Sequence, residues 1–163
     1  MIFVTKSPRM IKTIIIFLLL VLELHAVNQN DLMGNWKSFI RTLNNGTEII
    51  EKEYLTLNAN QTFSLVILVS LKKDAAFVKD LRIEITGNWE SRDNTLVYVI
   101  KTVNVPKVKE VYLISQKSLE DLAATFKYRY ENDKIHMGKI KYVDAKNFTL
   151  ISEKLRESKY KRR

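Results

Sequence analysis

The sequence predicts an all-β domain, a sandwich or barrel of eight or nine short strands with one short helix near residues 118–124. Three observations carry this. Apolar and polar residues alternate with period two through most of residues 53–152. Polar turn clusters punctuate the alternation at short, regular intervals. No Gly/Ser/Pro-rich linker divides the body of the 163-residue chain, so one domain is expected.

The elements follow in chain order. Residues 1–12 carry Lys6, Arg9 and Lys12, and an unbroken apolar run extends from Thr13 to Leu22. A small residue, Ala26, precedes an abrupt polar change at "VNQND". A basic start, a short apolar core and a small residue are the pattern of a secretory signal peptide over residues 1–26. The apolar run is shorter than the ~20 residues that span a bilayer. An uncleaved membrane anchor is the alternative. Met10 offers a second start, because "MIKTIIIFLLL" is a more compact leader. Export to the periplasm or beyond is the expectation. The chain has no cysteine, so an exported domain of this kind is held by its core alone, which suits a bacterial periplasm.

The strands begin with "GNWKS" at 34–38 and "EYLTL" at 53–57. "QTFSLVILVSL" places Phe63, Leu65, Ile67, Val69 and Leu71 on one side, with Val66 and Leu68 apolar on the other. "LRIEITGNWE" alternates cleanly, with Leu81, Ile83, Ile85, Gly87 and Trp89 on one face. "TLVYVIKTV", "VKEVYLI", "KIHMGKIKYV" and "NFTLIS" complete the set. Turns fall at 44–47, where Asn45-Gly46 suits a two-residue hairpin, and at 58–61, 92–94, 131–133 and 144–147. "KKDAAFVKD" at 72–80 reads as a turn or a short helix. Ser118 and Asp121 resemble a capping box, and Leu119, Leu122, Ala123 and Phe126 follow helical spacing. Phe126, Tyr128 and Tyr130 also alternate with Lys127 and Arg129. The expectation is a helix at 118–124 leading into a strand at 125–131. Residues 27–153 then form the folded body, and residues 154–163 a frayed basic tail.

The formal charge of +9 is concentrated in that tail. Its basic residues are Lys154, Arg156, Lys159, Lys161, Arg162 and Arg163, against one acid, Glu157. They predict contact with an anionic membrane surface, or simply a solvated terminus. Export argues against nucleic acid as the partner.

Candidate chemistry is sparse. If the leader is removed, His136 is the mature chain's only histidine, and a lone histidine on a strand is usually structural. Glu51 and Glu53 share a strand face, but paired carboxylates are more often solvated than catalytic. Four glycines cannot supply a phosphate-binding loop. The expectation is no enzyme, no metal and no cofactor.

The stretches "LMGNWKS", "YLTLNANQTF" and "ITGNWESRDNTLVYV" together resemble bacterial lipocalin-like domains of the calycin type. A looser match is the closing "IKYVDAKNFTLI" at 140–151. The sequence departs from the pattern at Asn60-Gln61, where an Asp-Gly turn is usual. The resemblance implies a single antiparallel up-and-down barrel, often with an apolar cavity. On that reading Gly34, Trp36, Gly87 and Trp89 are barrel-end architecture, with large rings packed on close backbone. Phe63, Tyr98, Tyr112, Phe126, Tyr128 and Tyr130 lie on predicted apolar faces. In a wide barrel they line a site for a small apolar or amphipathic ligand; in a narrow one they are core. The first makes an exported binding protein. The second leaves a non-enzymatic envelope interaction module with a filled barrel and a basic tail that contacts an anionic membrane surface or a protein partner.

Overall fold

A computed structural model describes residues 27–163. The leader expected over residues 1–26, with its expected cleavage site at Ala26, lies outside the described residues. The described residues form nine strands: β1 (Gly34–Asn44), β2 (Thr47–Leu57), β3 (Thr62–Lys73), β4 (Ala76–Arg92), β5 (Thr95–Lys107), β6 (Glu110–Tyr112), β7 (Ile135–Val143), β8 (Asn147–Ser152) and β9 (Glu157–Arg162). Among the described residues two helices accompany them, α1 (Gln29–Leu32) and α2 (Gln116–Asn132).

Eight of the strands close into an antiparallel barrel in the order β1-β2-β3-β4-β5-β7-β8-β9, with β9 returning to β1. Closure removes the exposed edges that an open sheet would present. β6 pairs with β4 outside the ring. The hairpins carry the turn chemistry their twist requires. Asn45 and Gly46 have φ of 48° and 74°, and Asp93 and Asn94 have φ of 48° and 61°. β4 buries Leu81, Ile83, Ile85 and Trp89 on one face, as its alternation predicts. Val66 and Leu68, on the outer side of β3, are half-buried.

Three sequence expectations are corrected. The segment 125–131 is not a strand: α2 continues to Asn132. Leu119, Leu122, Phe126 and Tyr130 recur at helical spacing and all pack on the core, whereas Tyr128 turns outward. The helix also starts earlier than expected. Ser115 is its N-cap, and its hydroxyl accepts the Ser118 N–H at 3.1 Å. Of the two readings of residues 72–80, the turn holds: a tight turn at 74–75 joins β3 to β4.

The third correction concerns residues 154–163, which are not a frayed tail. β9 fills the place between β8 and β1 and closes the barrel. Its alternation places Ser158, Tyr160 and Arg162 inward, with Lys159 and Lys161 outward. Every second position being basic hid a strand whose inward residues include one large aromatic.

Candidate ligand site

The two ends of the barrel differ. At one end lie α1, the Asn58–Gln61 turn and the turns at 93–94 and 144–147. Trp36 and Trp89 are fully buried there, at 0% and 2% exposure. The Trp36 Nε1–H donates to the Leu32 carbonyl at 2.7 Å, and the Trp89 Nε1–H donates to the Asn58 carbonyl at 3.0 Å. Trp36 meets Phe148 edge-on at 4.8 Å, and Phe148 stacks on Tyr160 at 4.5 Å.

Arg162 seals this end. Its guanidinium lies 4.1 Å over the Trp36 ring. The same group donates to the carbonyls of Asp31, Met33 and Ala145 at 2.8, 2.7 and 2.7 Å. Gly34 permits the approach: its φ is +124°, and a Cβ there would stand 2.5 Å from Arg162 Nη1. Gly87 is required more strictly, since a Cβ would stand 2.0 Å from the Val99 carbonyl oxygen.

The opposite end is covered by α2, which lies against β5 and β4 and turns Leu119, Leu122, Phe126 and Tyr130 onto the core. None of these four is fully buried. Below them the wall includes half-buried inward residues, Ile40, Ile49, Glu51, Leu65 and Leu71. Leu65 sits in the ladder between Leu55 and Ile85, both at 1% exposure, and is less enclosed than either.

A polar group occupies this half of the interior. Glu51 and Glu53 point inward from β2, and their side chains are only 15% and 12% exposed. They are therefore not the solvated pair that their sequence suggested. Arg156, from the β8–β9 turn, pairs with Glu51 and approaches Glu53 at 3.9 Å. Tyr160 donates its phenol O–H to Glu53. Ser38 is the ladder partner of both Glu53 and Tyr160, so all three share one face. Its hydroxyl is buried without a hydrogen-bond partner, as is Nε2 of His136. His136 is the ladder partner of Tyr98, and its ring lies 5.6 Å from that of Tyr130.

Burial dominates the electrostatics. Loss of solvent raises the Glu53 carboxyl above the usual carboxylate range, and neighbouring Glu51 adds to the rise. The Tyr160 hydrogen bond and the Arg156 charge oppose it. Burial also raises the phenols of Tyr98 and Tyr160 well above 10, with the Glu53 charge next in effect. Tyr130 is pushed up to about 12 by burial, then by Glu53 and Glu51. All three phenols therefore remain neutral hydrogen-bond donors near pH 7. Among the described residues, no three His, Cys, Asp or Glu side chains are grouped to hold a metal ion.

The six aromatics predicted to line a site separate into two sets. Phe63 and Tyr98 face the interior with ring centroids 5.0 Å apart. Phe126 and Tyr130 reach the core from α2. Tyr112 and Tyr128 do not line the interior; they are 54% and 68% exposed. Tyr112 stacks on Phe77 outside the barrel, and Tyr128 is on the solvent side of α2. The residues that sequence reasoning left out of the site are Ser38, Glu51, Glu53, Arg156 and Tyr160. The alternation of β2 held the signal: Glu51 and Glu53 share a face with Leu55 and Leu57.

Two open grooves lie on the outer wall, sharing Phe39 and Lys52. One, of about 300 Å³, runs beside the β3–β4 irregularity. The other, of about 450 Å³, is lined by Lys37, Ser38, Phe39, Lys52, Tyr54, Lys159 and Lys161. The second meets the interior polar group only at Ser38; Glu51, Glu53, Arg156 and Tyr160 line neither groove. The interior group is the better candidate, because it holds buried polar atoms whose bonding is incomplete. No protein-family model matches this chain, and no curated protein matches it in sequence.

Proposed function

We propose that this is an exported, non-enzymatic, lipocalin-like binding protein that holds a small amphipathic molecule inside the barrel beneath α2. One observation carries the reading: an unpartnered Ser38 hydroxyl beside a buried Glu53–Tyr160 pair, next to the barrel's apolar core. An unsatisfied buried polar atom costs about 1–3 kcal/mol. A ligand bearing one polar end and an apolar body offsets that cost and covers Leu65 and its half-buried neighbours. Apolar lining with a few convergent polar groups is the usual constitution of a small-molecule site. The basic start, apolar run and Ala26 support export. The test is native mass spectrometry of the delipidated protein with amphipathic probes such as decanol. A 1:1 complex that is weakened by Ser38→Leu is expected. No complex with any probe, and no thermal stabilisation, would sink the reading.

A second reading has its own observation. The outer groove of about 450 Å³ gathers Lys37, Lys52, Lys159 and Lys161 around an exposed Phe39. This places a basic face on the barrel wall in the role first given to the whole basic segment. Arg156 and Arg162 drop out of that role, because one is paired with Glu51 and the other seals the barrel end. Attraction to an anionic membrane surface is worth about 1 kcal/mol per basic residue near it. Co-sedimentation with phosphatidylserine vesicles at low salt, lost in a Lys159→Glu, Lys161→Glu double variant, is the expected result. Equal sedimentation of both proteins would remove this reading.

A further inference from the structure

We infer that the ligand's polar end is a hydrogen-bond donor without negative charge, a hydroxyl or an amine, seated on Glu53 beside Ser38 and Tyr160. The inference rests on the proposed ligand site in the barrel and names the chemistry that site accepts.

The charge balance decides against an anion. Two carboxylates, Glu51 and Glu53, face the interior, and one guanidinium, Arg156, answers them. Arg156 is already committed to Glu51 and stands 3.9 Å from Glu53. The other neighbours, Tyr98, Tyr130, Tyr160 and His136, come from β5, α2, β9 and β7 and bring no fixed positive charge. A carboxylate ligand would add a third negative group where burial already penalises the second.

The donor and acceptor inventory points the same way. Tyr160 spends its hydrogen on Glu53 Oε2, which leaves Glu53 Oε1 with only the distant Arg156 contact. Ser38 is 5% exposed, and its buried hydroxyl has no partner. Facing ladder positions stand about 4.5–5.5 Å apart at Cβ. A single hydroxyl or ammonium inserted beside them can donate to Glu53 and meet the Ser38 hydroxyl at once. An ammonium pairs with an ionised Glu53. An alcohol exchanges hydrogen bonds with it in either protonation state.

Three probes with the same ten-carbon tail separate the possibilities: decanol, decylamine and decanoate. The apolar contribution is common to all, so the affinity differences report the polar end. At pH 7, decanol and decylamine are expected to bind at least about tenfold more tightly than decanoate. Glu53→Gln, which keeps the side chain's shape, is expected to erase the advantage of decylamine while leaving the far-ultraviolet circular dichroism unchanged. Ser38→Ala is expected to weaken decanol. Decanoate binding as tightly as the other two overturns the inference and leaves the ligand site standing. A failure of all three probes to bind removes the site itself, and the inference with it.

Discussion

Arg162→Ala tests whether the basic segment is architecture. The side chain donates three hydrogen bonds to backbone carbonyls and covers the Trp36 ring. The bond to Met33 is partly buried, and a charged donor there is worth about 1.5 kcal/mol. The bonds to Asp31 and Ala145 are exposed, and about 0.5 kcal/mol each is a fair allowance. The stack on Trp36 adds about 0.5–1 kcal/mol. The expected loss is therefore about 3 kcal/mol, a large share of the ~5–15 kcal/mol that holds a typical domain. Lys161→Ala is the control, because its neighbouring side chain points outward and its removal should cost less than about 0.5 kcal/mol. Urea unfolding followed by tryptophan fluorescence reads both variants. Arg162→Lys should recover little, since a single ammonium cannot serve three carbonyls in the guanidinium's geometry. Equal midpoints for the Arg162 and Lys161 variants would refute the role given to Arg162.

Three further predictions follow from the same structure. Gly87→Ala places a methyl 2.0 Å from the Val99 carbonyl oxygen, so a loss of about 3 kcal/mol is expected in urea titration; Gly138→Ala meets only the movable Leu150 side chain and should cost clearly less. Deleting residues 157–163 removes β9 and should abolish the cooperative thermal transition, whereas a segment that merely trailed in solvent would leave it unchanged. The Glu53 carboxyl is raised from its ordinary 4.5 by burial, so the folded state holds its proton more tightly than the unfolded chain does. That contribution is fully present below pH 4.5 and is lost as pH rises through the folded value. The stability difference between the protein and Glu53→Gln should therefore shift in the variant's favour as pH climbs, and parallel pH profiles would contradict it.

Much of the barrel was legible because its physics is local. Period-two alternation in β4 and the Asn45-Gly46 turn each specify their own conformation. The errors arose where local signals competed with closure. Phe126, Tyr128 and Tyr130 alternate like a strand, but Leu119, Leu122, Phe126 and Tyr130 form one helical stripe, and covering the open barrel end selects the helix. The charges of residues 154–163 suggested solvent, yet only alternate positions need to face inward. Tyr160 fills one of those positions, while Arg162 finds three carbonyls that no sequence window reveals. The interior polar group was hidden for the same reason. Ser38, Glu53 and Tyr160 come from three strands and meet only through the ladder that closes the barrel. The tryptophans of the two Gly-Asn-Trp triplets lie at one end, and the polar group occupies the half toward the other, beneath α2.

The ligand site itself is tested most directly by amide chemical-shift mapping of the protein titrated with decanol. Saturable shifts concentrated at Ser38, Glu53, Leu65, Tyr98 and Tyr160, and along α2, are expected. Shifts confined to the outer wall around Lys37, Phe39 and Lys52, with the interior silent, would contradict it.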